Sequence, residues 1–92
     1  MSYFPSISVI MSVFNGELYL EKSIESILSQ SCKDFEFIII DDSSNDSTSQ
    51  ILEQYSHDNQ VKVITNTNNI GLTKSLNIGL KTAKGKYIAR QD

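Results

Sequence analysis

Residues 35–48, FEFIIIDDSSNDST, constrain this 92-residue chain more than any other segment. Residues 37–40 are an apolar run rich in isoleucine, whose branched side chains pack well on a pleated surface. A run this short reads as a strand buried on both faces, as in a parallel sheet. Asp41 and Asp42 close it, and a Ser/Asn-rich turn follows. Carboxylates at the end of such a strand lie at the sheet rim, where open α/β folds bind their ligands. Two adjacent ones must be met there by a cation, a hydrogen-bond donor or water. The segment therefore proposes a fold and a site together.

The rest of the chain repeats this strand-and-helix logic. Residues 7–12 (ISVIMS) are an apolar, β-rich strand, and Asn15-Gly16 punctuates its end as a turn. Residues 17–30 predict a helix, because Leu20, Ile24, Ile27 and Leu28 share one helical face. The second strand spans residues 36–41, and a second helix begins near Ser47. Ser47-Thr48-Ser49-Gln50 fits a capping box, with Ile51, Leu52 and Tyr55 as the apolar face behind it. Residues 61–65 predict a brief, partly polar strand nearer a sheet edge. Residues 66–71 (NTNNIG) form a loop in which Asn68 and Asn69 serve the turn, since asparagine tolerates left-handed backbone. Leu72, Leu76, Leu80 and Ala83 mark a third helix, with Gly79 permitting close packing and Gly85 as a left-handed cap. Residues 87–90 start a fourth strand.

Strands alternating with helices imply right-handed βαβ crossovers. The expected architecture is α/β: three layers, α/β/α, around a mostly parallel sheet of about four strands. The fourth strand has only begun where the sequence ends in Asp92, so the chain is expected to be a truncated part of a larger domain.

Composition bounds the function. The net charge is −3 and no basic stripe is present, which argues against a nucleic-acid partner. Lys81, Lys84 and Lys86 read as a solvated helix end. Cys32 is the sole cysteine, so no internal disulfide can form, and the chain suits a reducing, cytoplasmic compartment. No apolar run approaches the roughly 20 residues that span a bilayer, and the N-terminus lacks the features of a signal peptide. His57 has no second ligand near it and reads as a surface residue.

In a parallel sheet, residues 12–15, 41–44 and 90–92 converge on one rim. They supply the ring of Phe14, the carboxylates of Asp41, Asp42 and Asp92, and the hydroxyls of Ser12, Ser43 and Ser44. A ring beside a carboxylate can hold a nucleobase by stacking and by accepting from a ring N–H. Oxygen ligands near a diphosphate suit Mg²⁺ or Mn²⁺. Neither G-x-G-x-x-G nor a Walker A loop follows strand one, which disfavours a dinucleotide dehydrogenase or a P-loop NTPase.

Residues 7–48 together with NNIGLTKSLNIGLKTAKGKYIARQD resemble the nucleotide-binding half of family 2 glycosyltransferases, which have the GT-A fold. The resemblance runs from about Ser6 to Asp92. It implies a nucleotide-diphosphate sugar donor, a UDP type above all, a divalent metal, a saccharide or other hydroxyl acceptor, and typically inverting transfer in polysaccharide biosynthesis. Ser12 stands where the family usually has proline or threonine, whose backbone meets the base. Phe14 stands where a tyrosine usually stacks on uracil, so stacking is kept and one hydrogen bond is lost. Asp42 matches the base-contacting aspartate and Asp41 its loop-supporting neighbour. Apart from the resemblance, Lys74 at a helix start either reaches a donor phosphate or, the favoured reading, is a solvated lysine. Asp92 matches the first aspartate of the family's D-x-D motif, near ribose and metal; the second, more direct metal ligand and the catalytic base have no counterpart here. On that ground the chain alone is expected to be inactive.

Two other readings compete. A phosphoacceptor receiver domain in signalling also carries paired aspartates after an apolar strand and a later one, here Asp41, Asp42 and Asp92. Its acidic pair follows the first strand, however, and here a strand and a helix come before. A ligand-free packing module would instead use an exposed sheet edge to dimerise.

Overall fold

The computed structural model describes residues 4–30 and 33–91. Strands and helices alternate as β1 (Ile7–Val13), α1 (Leu20–Leu28), β2 (Phe35–Asp41), α2 (Thr48–Tyr55), β3 (Val61–Thr65), α3 (Leu72–Thr82) and β4 (Tyr87–Gln91). The strands form one parallel sheet in the order β3-β2-β1-β4. The chain winds from β1 out to β3, then returns across β1 to β4. That reversal creates the switch point at which α/β sheets bind ligands.

The three expected layers are present because alternate residues of each strand serve opposite faces. Val9, Met11, Val13, Phe37 and Ile39 pack with Leu20, Ile24 and Ile27 of α1 and Leu52 of α2. Ile10, Ile38 and Ile40 pack on the other face with Leu76 and Ala83. All seven residues of β2 are therefore buried. Residues 37–40 have no measurable exposure, and burying each such side chain contributes roughly 1.5–3 kcal/mol. Gly79 lets α3 lie against the sheet: a Cβ there would be 2.5 Å from Ile10 Cγ2 and 2.9 Å from Ile40 Cδ1. β3 is an edge strand, as its polarity implied, and β4 is the opposite edge.

Several local expectations need correction. α1 starts at Leu20 because residues 17–19 form a turn, in which Gly16 O accepts the N–H groups of Tyr19 and Leu20. The capping box does not form: Ser47 makes no side-chain cap bond. Asp46, one residue earlier, accepts the Thr48 N–H at 2.9 Å instead. Gly85 is not a left-handed cap, since α3 ends at Thr82 and Ala83 is already extended. Its smallness serves a close approach, because a Cβ would be 2.5 Å from the Ser8 backbone nitrogen. Among the described residues, left-handed backbone falls at Asn15, Ser43 and Gly71 rather than at Asn68 or Asn69. Leu80, read as a core position, is half exposed beside β4. Cys32 lies outside the described residues. No described helix is long and apolar enough to cross a membrane.

Candidate functional site

The loops leaving β1 and β2 are clasped to each other at the rim. The Asn15 N–H donates to Ser44 Oγ (2.9 Å), and Asn15 Oδ1 accepts the Asn45 N–H (2.7 Å). The Gly16 N–H donates to Thr48 Oγ1 (2.9 Å). Glu17 and Asp46 extend the clasp: the Glu17 N–H donates to Asp46 Oδ2, and Glu17 Oε2 accepts the Ser47 N–H, both at 3.2 Å. Burial pushes the Asp46 carboxyl up, but bonds from Thr48 and Glu17 outweigh it and hold it below its usual range. Asn15 (φ 52°) and Ser43 (φ 62°) adopt left-handed backbone within this frame. Such strain persists where surrounding bonds over-determine it.

Phe14 projects from the clasp with its side chain about half exposed (46%). Val13, the residue before it, accepts the Asp42 N–H at 2.8 Å. Phe14 and Asp42 thus sit on adjacent strand ends tied by one backbone bond. Ser12 is half-buried and lies opposite Ile40 in the β1–β2 register.

The two aspartates play different parts. Asp41 is buried, and its Oδ1 accepts the Ser44 N–H at 3.0 Å, closing the turn beneath the clasp. Asp42, 3% exposed, reaches the other way. Its Oδ1 accepts the Ile70 N–H (2.8 Å) and Asn66 Nδ2 (3.0 Å), and its Oδ2 accepts the Gly71 N–H (2.8 Å). Its carbonyl accepts Asn69 Nδ2 at 3.2 Å. Burial raises the Asp42 pKa, but the bonds from Ile70, Asn66, Gly71 and Ser75 prevail, and the group lies below its ordinary value. Asp42 is therefore an anion at neutral pH. It lies at the N-terminal entry of α3, where the helix dipole favours negative charge. Gly71 (φ 94°) makes the left-handed entry that only glycine adopts without strain. Exposed Lys74 follows in the first turn of α3.

The fold thus brings Ser12, Phe14, Asp41 and Asp42 onto neighbouring strand ends, and the Asp42–Gly71 bond draws the Lys74 turn to the same rim. Asp92 lies outside the described residues. The described carboxylates do not fit a cation: both rim aspartates already accept N–H donors, and no group of three potential ligands occurs among the described residues. Sequence reasoning missed Asn66 and Ser75, which bond to each other under Asp42, and it missed Asn15 and Asp46 as the clasp. Asn15-Gly16 and Asn45-Asp46 carried the available signal: short polar side chains that bond nearby backbone in turns. Two apolar grooves of about 260 and 160 Å³ flank β4 and do not include Phe14 or Asp42.

The profile of glycosyl transferase family 2 matches residues 8–92. The chain belongs to that family. Among relatives of this family 2 chain is the candidate glycosyltransferase EpsE of Bacillus subtilis (strain 168), 50% identical over 90 residues. That match takes in 96% of the chain and 32% of the relative, so the chain spans about a third of the relative's length. The crystal structure of S. aureus TarS 1–349 in complex with UDP-GlcNAc superposes with a TM-score of 0.88 at 33% identity, over 95% of this chain and 26% of that one. The mannosyltransferase PcManGT from Pyrobaculum calidifontis, in complex with GDP-Man and Mn²⁺, shares the fold at a TM-score of 0.77 and 23% identity, over 89% of this chain and 25% of that one. The parallel sheet and its three helices match the Rossmann-like fold of these GT-A proteins, as the resemblance in sequence implied.

Proposed function

We propose that this chain is the donor-binding part of a glycosyltransferase that uses a nucleotide-diphosphate sugar, with uridine as the preferred base. The observation that carries this reading is the pairing of an exposed ring, Phe14, with an ionised Asp42 at adjacent ends of parallel strands. Stacking on an aromatic ring is worth roughly 1–3 kcal/mol per base. Asp42 accepts three bonds from the 66–71 loop and is also bonded by the Ser75 side chain. A ring N–H such as that of uracil would share one of its oxygens with these donors, whereas cytosine presents a bare nitrogen there. The UDP-GlcNAc held by TarS supports the same donor class.

In this reading Ser12 lines the base site through its backbone, Asp41 holds the loop, and Lys74 meets the diphosphate. A divalent cation would fall to Asp92 rather than to Asp41 or Asp42. An acceptor hydroxyl attacks the anomeric carbon of the donor, and the bond to the diphosphate oxygen breaks. The receiver-domain alternative loses ground because Asp41 and Asp42 end the second strand, and both are engaged by N–H donors.

A thermal-shift series with UDP, CDP, UMP and GDP, with and without Mn²⁺, tests the proposal. UDP at about a hundred times its Kd should stabilise the fold by about 2.7 kcal/mol. That corresponds to a rise in Tm of roughly 10–20 °C for a domain of this size. Equal response to CDP and UDP, or no response to any nucleotide, would overturn it.

A further inference from the structure

A buried carboxylate at the opposite end of the sheet is left unexplained by the rim. Glu36 is 6% exposed and lies on the α3 face of β2, in line with Ile38 and Ile40. Its Oε2 accepts Ser8 Oγ (2.5 Å) and the Lys84 backbone N–H (2.6 Å). Its Oε1 lies 3.6 Å from Lys62 Nζ. Ser8, its register partner on β1, is fully buried, and Ser8 Oγ in turn accepts the Gly85 N–H at 2.7 Å. Two consecutive amides of the turn between α3 and β4 are thereby held by side chains of β1 and β2. The missing Cβ of Gly85 lets that turn close onto the Ser8 backbone.

β4 needs this anchorage. It packs principally on β1, and its Tyr87 and Ile88 side chains are about half exposed or more. Burial is what ordinarily fixes strand register, and a slip of one residue turns every side chain to the other face. Within the described residues β4 pairs on its β1 side, and the bonds from Glu36 and Ser8 tie the turn from which it starts.

We propose that Glu36, acting with Ser8, is the positioning residue that sets the register of β4 and so decides what its C-terminal end delivers to the rim. The pairing it selects places Tyr87 opposite Ile7 and Gln91 opposite Met11. Asp92 follows Gln91 directly in sequence. The register claim stands on the fold alone; the consequence for catalysis rests on the donor-binding reading.

Hydrogen exchange on Glu36→Ala and Ser8→Ala tests the claim against Leu52→Ala, a core truncation in α2 remote from β4. Both network variants should lose about tenfold or more protection in β4 and in the β1 amides facing it, while β2 and β3 keep theirs. The double variant should lose little beyond the larger single, because both act through one network. Uniform loss across all strands, as expected for Leu52→Ala, would overturn the proposal, and so would unchanged β4 protection. Should Glu36→Ala not fold, Glu36→Gln, which keeps one acceptor, answers the same question with a smaller β4-selective loss. In the active glycosyltransferase, Glu36→Gln should lower kcat about tenfold at unchanged nucleotide Kd, since Phe14 and Asp42 stand on other strands. A rise in nucleotide Kd that matches the fall in kcat would count against positioning. If the full-length enzyme transfers no sugar, the donor-binding reading fails, and the exchange data still decide the role of Glu36.

Discussion

Replacing Asp42 with asparagine isolates what its charge does at the rim. The side chain keeps its size but exchanges one oxygen for an NH₂ group. In the better of two orientations the amide oxygen still meets Ile70 N–H and Asn66 Nδ2, and the NH₂ then points at the Gly71 N–H. One amide is left without an acceptor, at about 1–3 kcal/mol. The two surviving bonds lose their ionic assistance, which roughly halves their strength. The α3 entry also loses a favourable charge worth about 0.3–1 kcal/mol. The total is about 2–4 kcal/mol, so Tm at neutral pH should drop by about 10 °C or more. Asp41→Asn should cost less than about 1 kcal/mol, because the bond from the Ser44 N–H can be kept by the amide oxygen. Acid provides the second axis. Asp42 titrates below its unfolded value near 3.8, so its contribution is complete above that pH and fades as pH falls through it toward the folded value. The gap between wild type and Asp42→Asn should therefore narrow below about pH 4. Differential scanning calorimetry from neutral pH to about pH 3 measures both effects. An unchanged Tm at neutral pH, or a gap that stays constant into acid, would refute the assignment of the 66–71 loop to this carboxylate.

Other parts of the fold give simpler expectations. Gly79→Ala forces a methyl into Ile10 and Ile40, and urea unfolding should show a loss of about 1–3 kcal/mol; a loss under 0.5 kcal/mol would mean that α3 has room to move away. Phe14→Ala should weaken UDP binding about tenfold by calorimetry with little change in Tm, since the ring is half exposed. Tyr55 donates to Glu25 at 2.6 Å, and that bond, with burial and acidic neighbours, pushes its pKa up to about 12. Spectrophotometric titration should show Tyr55 ionising late, returned toward 10 by Glu25→Gln.

The elements that were legible in sequence are those whose signal is local and apolar. The run at residues 37–40 announced a central strand because both of its faces are buried, and the polarity of β3 announced an edge. The four-residue spacing of Leu20, Ile24 and Leu28 announced α1, but Glu17 belongs to the clasp, whose partners lie some thirty residues away. Ser47 offered a good local cap and lost it to Asp46, which caps the helix while also binding Glu17. Gly85 was read as a backbone device when its role is to admit Ser8. Glu36 stayed hidden for a related reason. It interrupts an otherwise apolar strand, and its meaning appears once register pairs it with Ser8, the matching polar intruder of β1.

The parallel order β3-β2-β1-β4 also dictates when β4 can join the sheet. Ile7 meets Phe35 across a loop of 28 residues, but it meets Tyr87 across 80. By loop-closure entropy the second encounter costs about 0.9 kcal/mol more. A chain emerging from the ribosome can zip β1, β2 and β3 long before β4 exists, leaving one flank of β1 unpaired throughout synthesis. Non-local pairings of this kind slow folding, and an open strand flank in a partly made protein is where neighbouring chains can attach. The strand that carries the chain toward Asp92 thus arrives after the three whose sheet it joins.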